Sequence, residues 1–304
     1  MNKLLSICIP TYGRVEILRN TLDSIYSQSV DANLFEVCIS DNSPTNETEE
    51  MLHKYFYDKI NLVYKKSSCE GYLNSIEALK LGCGQYLKLH NNYTKFKKGM
   101  LSKFLRVIEE YFNQDCVVFG TFGSIKQSKV IESYCSFNDF MNCITYFSTW
   151  STSFGVWKEK FDLIIQYVKL DKMFPHTSIL FEQINEKNYI VDNTDYFDNQ
   201  DVGKKGGYNL PETFGTRYLG MVQALFDKKE ISEITLNNIK LGILKFIASW
   251  YLNVKVYSNK YTFSFENWEK IVSDIYGEKG CDFVINYYKH HKLKVEFKKL
   301  LGRY

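Results

Sequence analysis

The sequence predicts an α/β fold, a mostly parallel sheet with helices on both faces, continued by a helical C-terminal extension. Three observations predict it. Short apolar runs bounded by turn residues alternate with stretches of helical periodicity over about the first 120 residues. Polar clusters stand where three of those runs stop. After Pro211 the pattern turns helical.

The first strand is the run Leu4–Ile9, stopped by Pro10. Val15–Ser27 follows as a helix, with Val15, Leu18, Leu22 and Ile25 at helical spacing. Phe35–Ser40 is the second strand and ends in Asp41-Asn42-Ser43-Pro44, a loop signal. Thr45–Phe56 reads as a helix, with Thr45 and Asn46 as cap candidates and Glu47, Glu49 and Glu50 where they favour the helix dipole. Ile60–Tyr64 is the third strand, and Tyr72–Leu81 a helix closed by Gly82-Cys83-Gly84. Tyr86–Leu89 is the fourth strand, followed by His90-Asn91-Asn92. Met100–Phe112 is a helix and Cys116–Phe119 the fifth strand. Beyond it, Ser124–Ser136 reads as a β excursion, and Asp192–Tyr208 as a polar, Gly-rich mobile loop or linker. Helices are expected over 212–228, 232–258, 265–276 and 279–300.

Composition narrows the function. The chain has 304 residues, 45% of them apolar, enough for one α/β domain with an extension. A formal charge of +3 is too weak to argue for nucleic acid. The eight Cys form no CxxC pair, so neither a disulfide framework nor a zinc site is expected. No apolar run approaches the ~20 residues of a membrane span, and the start lacks a signal-peptide pattern. A soluble, cytoplasmic chain is expected, at most associated with the inner face of the membrane. The 23 Tyr and 22 Phe suit sugar and base pockets, but biased codon usage produces the same load.

In parallel α/β sheets, ligands bind beyond the carboxyl ends of the strands. Three clusters converge there: Thr11 to Arg14, Ser40 to Ser43, and His90 to Asn92. In the first, backbone N–H groups at a helix start together with Arg14 suit a diphosphate, and Tyr12 suits stacking on a base. In the second, Asp41 either accepts the N3–H of a uracil or only caps a turn.

Together, SICIPTYGR, CISDNSPTNETEE and EGYLNSIEALKLGCGQYLKL resemble the family 2 glycosyltransferases, in particular the bacterial branch that builds O-antigen and capsular polysaccharides. The resemblance is close over residues 3 to about 105 and loose to about 195. It implies a GT-A (Rossmann-like) domain over 1–210 and a helical region over 211–304 for acceptor, membrane or oligomer contacts. Carried over residue by residue, it implies that Pro10, Thr11, Tyr12 and Arg14 flank the nucleotide. Asp41 then reads the base with Ser43 beside it, and Gly71 and Asn74 pack near base and ribose. His90, Asn91 and Asn92 complete the donor site.

The family places an acidic motif after the fourth strand, where it chelates a cation that neutralises the leaving diphosphate. Here Asn92-Tyr93-Thr94 takes that place and holds no carboxylate. Three explanations stand. Cations such as Lys88, Lys95, Arg14 or Lys204 replace the metal. Alternatively His90, Asn92 and the diphosphate itself hold Mn²⁺ or Mg²⁺, although neutral Asn oxygens bind hard cations weakly. In the third, the domain binds donor poorly or not at all and serves as a scaffold subunit.

An inverting transfer needs a general base for the acceptor hydroxyl. Asp171 and His176 are the candidates, with Glu182 beyond them; His176 is also a candidate metal ligand. Trp150 or Trp157 offers a sugar-stacking platform, and Gly203–Tyr208, with two lysines, a lid. The expected partners are a nucleotide-sugar donor of the UDP class and a glycan or lipid-linked oligosaccharide acceptor, with no nucleic acid. The basic, amphipathic segment Tyr287–Tyr304 suits peripheral membrane contact, and the helices before it suit a homo-oligomer.

Overall fold

The computed structural model describes residues 3–257 and 259–300. The chain divides into two compact units, Met1–Asp201 and Val202–Tyr304.

The first unit begins β1 (Leu5–Thr11), α1 (Val15–Tyr26), β2 (Phe35–Asp41), α2 (Glu47–Tyr55), β3 (Leu62–Lys66), α3 (Asn74–Leu81), β4 (Tyr86–Leu89), β5 (Thr94–Phe96), α4 (Met100–Tyr111) and β6 (Cys116–Gly120). It continues with β7 (Ile131–Tyr134), α5 (Phe137–Ile144), β8 (Gly155–Trp157), α6 (Lys158–Ile164), α7 (Pro175–Phe181), β9 (Asn188–Asp192) and β10 (Phe197–Asn199). The main sheet has the order β3-β2-β1-β4-β8, parallel except for β8 at its edge. Every residue of β2 is buried, as a central parallel strand covered on both faces requires, and its polar members Glu36, Ser40 and Asp41 are hydrogen-bonded. Leu18, Leu22 and Ile25 turn one stripe of α1 onto the same core.

At the amino end of the sheet, buried Glu36 is satisfied by donors from two other segments. Ser6 Oγ gives 2.6 Å, and the N–H groups of Cys83 and Gly84 give 2.6 and 3.1 Å. A Cβ at Gly84 would stand 2.8 Å from the backbone of Leu5 and Ser6, so only glycine lets the chain enter β4 there.

Several expectations are corrected. The fifth strand, β6, leaves the main sheet and pairs with β9 in a separate one of order β6-β9-β7. Side chains tie the two sheets: Tyr86 donates to Val118 O at 2.7 Å, and Trp157 Nε1 to Cys116 O at 2.7 Å. The third strand begins at Leu62, because Ile60 lies in a turn and is 89% exposed. The β excursion shrinks to Ile131–Tyr134.

The second unit contains β11 (Lys205–Asn209), a π-helical stretch Glu212–Tyr218, α8 (Leu219–Asp227), α9 (Glu233–Val256), β12 (Tyr261–Ser264), α10 (Trp268–Tyr276) and α11 (Glu278–Leu300). Ser232 caps α9 by accepting the Thr235 N–H at 3.2 Å. The helix expected over 232–258 ends at Val256, and position 258 lies outside the described residues, as do residues 301–304 of the basic C-terminal segment. The Gly-rich segment read as a loop and lid is largely strand, since Lys205–Asn209 pairs parallel with Tyr261–Ser264. Among the described residues no helix is long and apolar enough to cross a membrane.

Candidate active site

Strand order fixes where a ligand crevice lies. From β1 the chain builds β2 and β3 on one side and then crosses to place β4 on the other. The carboxyl ends of β1 and β4 therefore flank a topological switch point. Thr11 ends β1, and Asn92 follows β4. Asn92 Nδ2 donates to Thr11 Oγ1 at 2.9 Å, while Thr21 of α1 donates to Asn92 O at 2.8 Å.

Asn74, at the start of α3, ties the second loop to the first. Its Nδ2 lies 3.2 Å from Thr11 O, 2.8 Å from Ser40 O and 3.0 Å from Asn42 Oδ1, and its Oδ1 accepts Ser40 Oγ at 2.7 Å. The Asn42 N–H donates to Thr11 O, and the Gly13 N–H to Ser43 Oγ at 2.7 Å. Thr11, Asp41 and Asn92 thus belong to one connected polar floor. Gly71 takes φ +50° at the turn into α3, a left-handed conformation that suits glycine.

The left-handed turn at Gly13 (φ +60°) and Arg14 (φ +59°) brings the chain from Pro10 and Thr11 into α1. Arg14 is the α1 N-cap, with no side-chain cap bond, and is exposed; Tyr12 is 64% exposed. Burial raises the pKa values of Tyr72 and Tyr93, and the positive charge of Arg14 pulls both down. Arg14 therefore sits close to both rings.

Asp41 has a task other than presenting its carboxylate to a base. Its side chain is 0% exposed. Oδ1 accepts the Ser43 N–H at 2.9 Å and the Ser43 hydroxyl, and Oδ2 accepts Tyr64 OH at 3.2 Å and Lys66 Nζ at 3.3 Å. Burial pushes its pKa up, but the Ser43 donors and Lys66 outweigh this and hold it below the ordinary value. Tyr64 and Lys66 are site residues that the sequence reading missed. The signal was the register, since Lys66 pairs beside Asp41 at the neighbouring strand end. Removing the acceptor of several donors costs about 2–3 kcal/mol. Asp41→Ala is therefore expected to lower the unfolding free energy by that amount, and donor affinity about tenfold through the freed Ser43. Urea unfolding and nucleotide titration check both. The depressed folded-state pKa makes the stabilisation present above the ordinary carboxylate pKa, and it is lost as pH falls through the folded value.

His90 is corrected as a donor or metal ligand. It is fully buried, its ring stacks on Phe96 at 5.3 Å, and Nε2 bonds Thr94 O at 2.8 Å. Burial, with Lys88 nearby, pushes its pKa down to about 3, so it is neutral. Asn91 Nδ2 donates to Tyr93 OH at 3.0 Å, and its Oδ1 accepts Ser151 Oγ at 2.7 Å. Among the described residues no three His, Cys, Asp or Glu side chains gather to hold a metal ion. At the acidic-motif position Asn92 spends its Nδ2 on Thr11, and what it offers a divalent cation is a neutral amide oxygen with no carboxylate beside it in the triplet, a weak donor set for a hard cation.

Lys88 also lies away from the crevice. Its Nζ is buried and donates to Leu89 O at 3.1 Å and Thr152 O at 2.7 Å. Lys95 lies in β5 opposite Asp198, and Lys204 belongs to the second unit.

On the other flank, Asp171 Oδ1 accepts the N–H groups of Met173 and Phe174 at 2.8 and 2.9 Å, just before Pro175 opens α7. Lys172 pairs with Glu70 at 3.1 Å and so joins this segment to the residue before Gly71. His176 is corrected as a base or metal ligand. It is buried, its Nε2 bonds Thr149 O at 3.0 Å, and burial lowers its pKa to about 4. With Thr177, which donates to Ser148 O at 2.9 Å, it pins the segment that carries Trp150 and Ser151. Glu182 is exposed at the end of α7. Trp157 is held in the core between Tyr86 and Phe112, whereas Trp150 is half-buried, edge-on to Phe147 at 4.3 Å.

A sequence profile of the Glycosyl transferase family 2 matches residues 6–147. Abequosyltransferase RfbV of Salmonella typhimurium is 29% identical over 119 residues, which cover 38% of this chain and 34% of that protein. The match thus spans about a third of that relative's length. TarS 1-349 of S. aureus in complex with UDP-GlcNAc superposes with a TM-score of 0.59 at 17% identity, over 99% of this chain and 93% of that chain. TarS 1-349 in complex with UDP gives 0.52 at 17% identity, over 99% and 92%. At that identity the likeness is one of fold.

Proposed function

We propose, from a family 2 glycosyltransferase domain at residues 6–147 on a GT-A fold, that this protein moves one sugar from a nucleotide-sugar to a growing surface glycan with inversion. The observation that carries the reading is the floor at the switch point, where Asn92 bonds Thr11 and Asn74 joins both to Ser40 and Asn42. A UDP-sugar is the proposed donor, since TarS, which shares the fold, is complexed with UDP-GlcNAc. A polysaccharide or lipid-linked oligosaccharide is the proposed acceptor, a reading that the likeness to an abequosyltransferase supports.

The proposed transfer is metal-independent. Arg14 and the N-terminal N–H groups of α1 balance the charge that develops on the leaving diphosphate. Tyr12, exposed beside them, stacks on the base. Asp171, fixed by two N–H groups, accepts the proton of the acceptor hydroxyl. Trp150, adjacent in sequence to the Ser151 that bonds Asn91, offers its face to the acceptor sugar.

The test is donor turnover by the full chain across a panel of UDP-, GDP-, CDP- and dTDP-sugars, each with EDTA and with Mn²⁺. Turnover of a UDP-sugar in EDTA is expected to lie within about twofold of that with Mn²⁺. Turnover only with Mn²⁺ would overturn the metal-free mechanism. Binding of a donor with no turnover of any would favour a non-catalytic subunit.

A further inference from the structure

The C-terminal half of α11 carries a face that the donor site does not explain. Val284 is buried, and Tyr288 packs edge-on against Tyr251 of α9 at 5.7 Å, which sets the inner side of the helix. Helical spacing then turns Lys289, His290, Leu293 and Phe297 outward, and all four are exposed. Leu293 is 76% exposed and Phe297 63%, one turn apart at the centre of that face. Lys289 and Lys294 flank them, both exposed. Glu296 pairs with Lys292 at 3.8 Å, and Asp282, also exposed, lies about three turns back towards the helix start.

Large apolar side chains bordered by lysines form the outward face of a helix that lies in a membrane interface. We propose that this face docks the protein on an anionic lipid surface, with Leu293 and Phe297 entering the headgroup boundary and Lys289 and Lys294 meeting lipid phosphates. Charge selects the occupant. A second copy on this face would add another Lys289 and Lys294 to the same contact and double its positive charge. Two apolar side chains are also far too small an area for a stable protein interface. An anionic bilayer answers both features at once. The inference extends the proposed function by placing the protein where a lipid-linked acceptor lies, but it is read without donor, so either can fail alone.

The experiment is co-sedimentation of the full chain with phosphatidylcholine vesicles, pure or containing about 30% phosphatidylglycerol. Binding is expected only to the anionic vesicles, and weaker by severalfold in about 0.5 M salt. Leu293→Asp/Phe297→Asp and Lys289→Glu/Lys294→Glu are each expected to lower partitioning at least about tenfold. Both pairs occupy exposed positions, so unchanged thermal unfolding certifies the fold. Unaltered partitioning of both variants, or equal binding to neutral vesicles, would overturn the proposal. So would a wild-type dimer that either pair of substitutions converts to monomer.

Discussion

Asp171→Asn is expected to leave a folded protein that binds donor normally and transfers sugar about 10²–10³-fold more slowly. The folded part of the expectation comes from the turn before α7, where Asp171 Oδ1 accepts the N–H groups of Met173 and Phe174. An asparagine carbonyl accepts the same two bonds, so the turn survives. The kinetic part comes from what asparagine lacks, since it takes no proton from an acceptor hydroxyl at neutral pH. The ion pair of Lys172 with Glu70 sets this segment beside the turn that begins α3. His176 offers no replacement, because burial holds it neutral to about pH 4 and Thr149 O engages its Nε2. The loss is expected in kcat, with donor Kd within about twofold of wild type. Steady-state kinetics with both substrates and a direct donor titration separate the two. Turnover at the wild-type rate would remove Asp171 from the reaction.

The parts of this site that could be read from sequence are those that depend on local pattern. Leu5–Thr11 and Phe35–Asp41 announce themselves as buried strands because every position must be apolar or hydrogen-bonded. The polar residues after them mark the carboxyl ends, and the parallel order brings those ends together. What a strand joins is a tertiary decision. The apolar run Cys116–Gly120 fits either sheet, and it pairs with Asn188–Asp192, some 70 residues away, rather than with β4. Lys205–Asn209 carries two glycines and reads as a loop, yet Tyr261–Ser264 supplies backbone partners that override propensity.

Side-chain direction was equally hidden. His90 and His176 sit in polar sequence contexts that suit ligands, but both turn inward to backbone carbonyls. The place of Asp41 at a strand end was legible, but not its enclosure by Ser43, Tyr64 and Lys66, since two of those partners come from the next strand.

Lys88 supports the second large prediction. Wild-type stability is expected to rise as pH climbs from about 7 towards the ordinary lysine pKa of ~10.4, and Lys88→Met is expected to lose that rise. Burial pulls the Lys88 pKa down to about 7. Above that value the folded state holds a neutral amine while the unfolded chain still binds the proton, so deprotonation favours folding. Below it both states are charged, and the full burial penalty remains. The slope approaches ~1.4 kcal/mol per pH unit, for a total of roughly 3–5 kcal/mol.

The surroundings explain why the charge is tolerated at all. The two hydrogens of a neutral amine match two acceptors, Leu89 O and Thr152 O. When protonated, the group lies 5.0 Å from the centre of Phe197, 5.3 Å from Phe122 and 5.8 Å from Phe104, which offers partial compensation without any carboxylate. Buried tyrosines and Cys38 with raised pKa values oppose the trend in alkali, so the difference between wild type and Lys88→Met isolates the lysine. Urea unfolding at intervals between about pH 7 and 9.5 measures it, and parallel curves for the two proteins would refute a neutral buried amine. The same variant frees Thr152, next to the Ser151 that bonds Asn91. Acceptor KM should therefore rise while donor affinity stays, because the segment that carries Trp150 and Ser151 loses one of its tethers and the floor between Thr11 and Asn74 loses none.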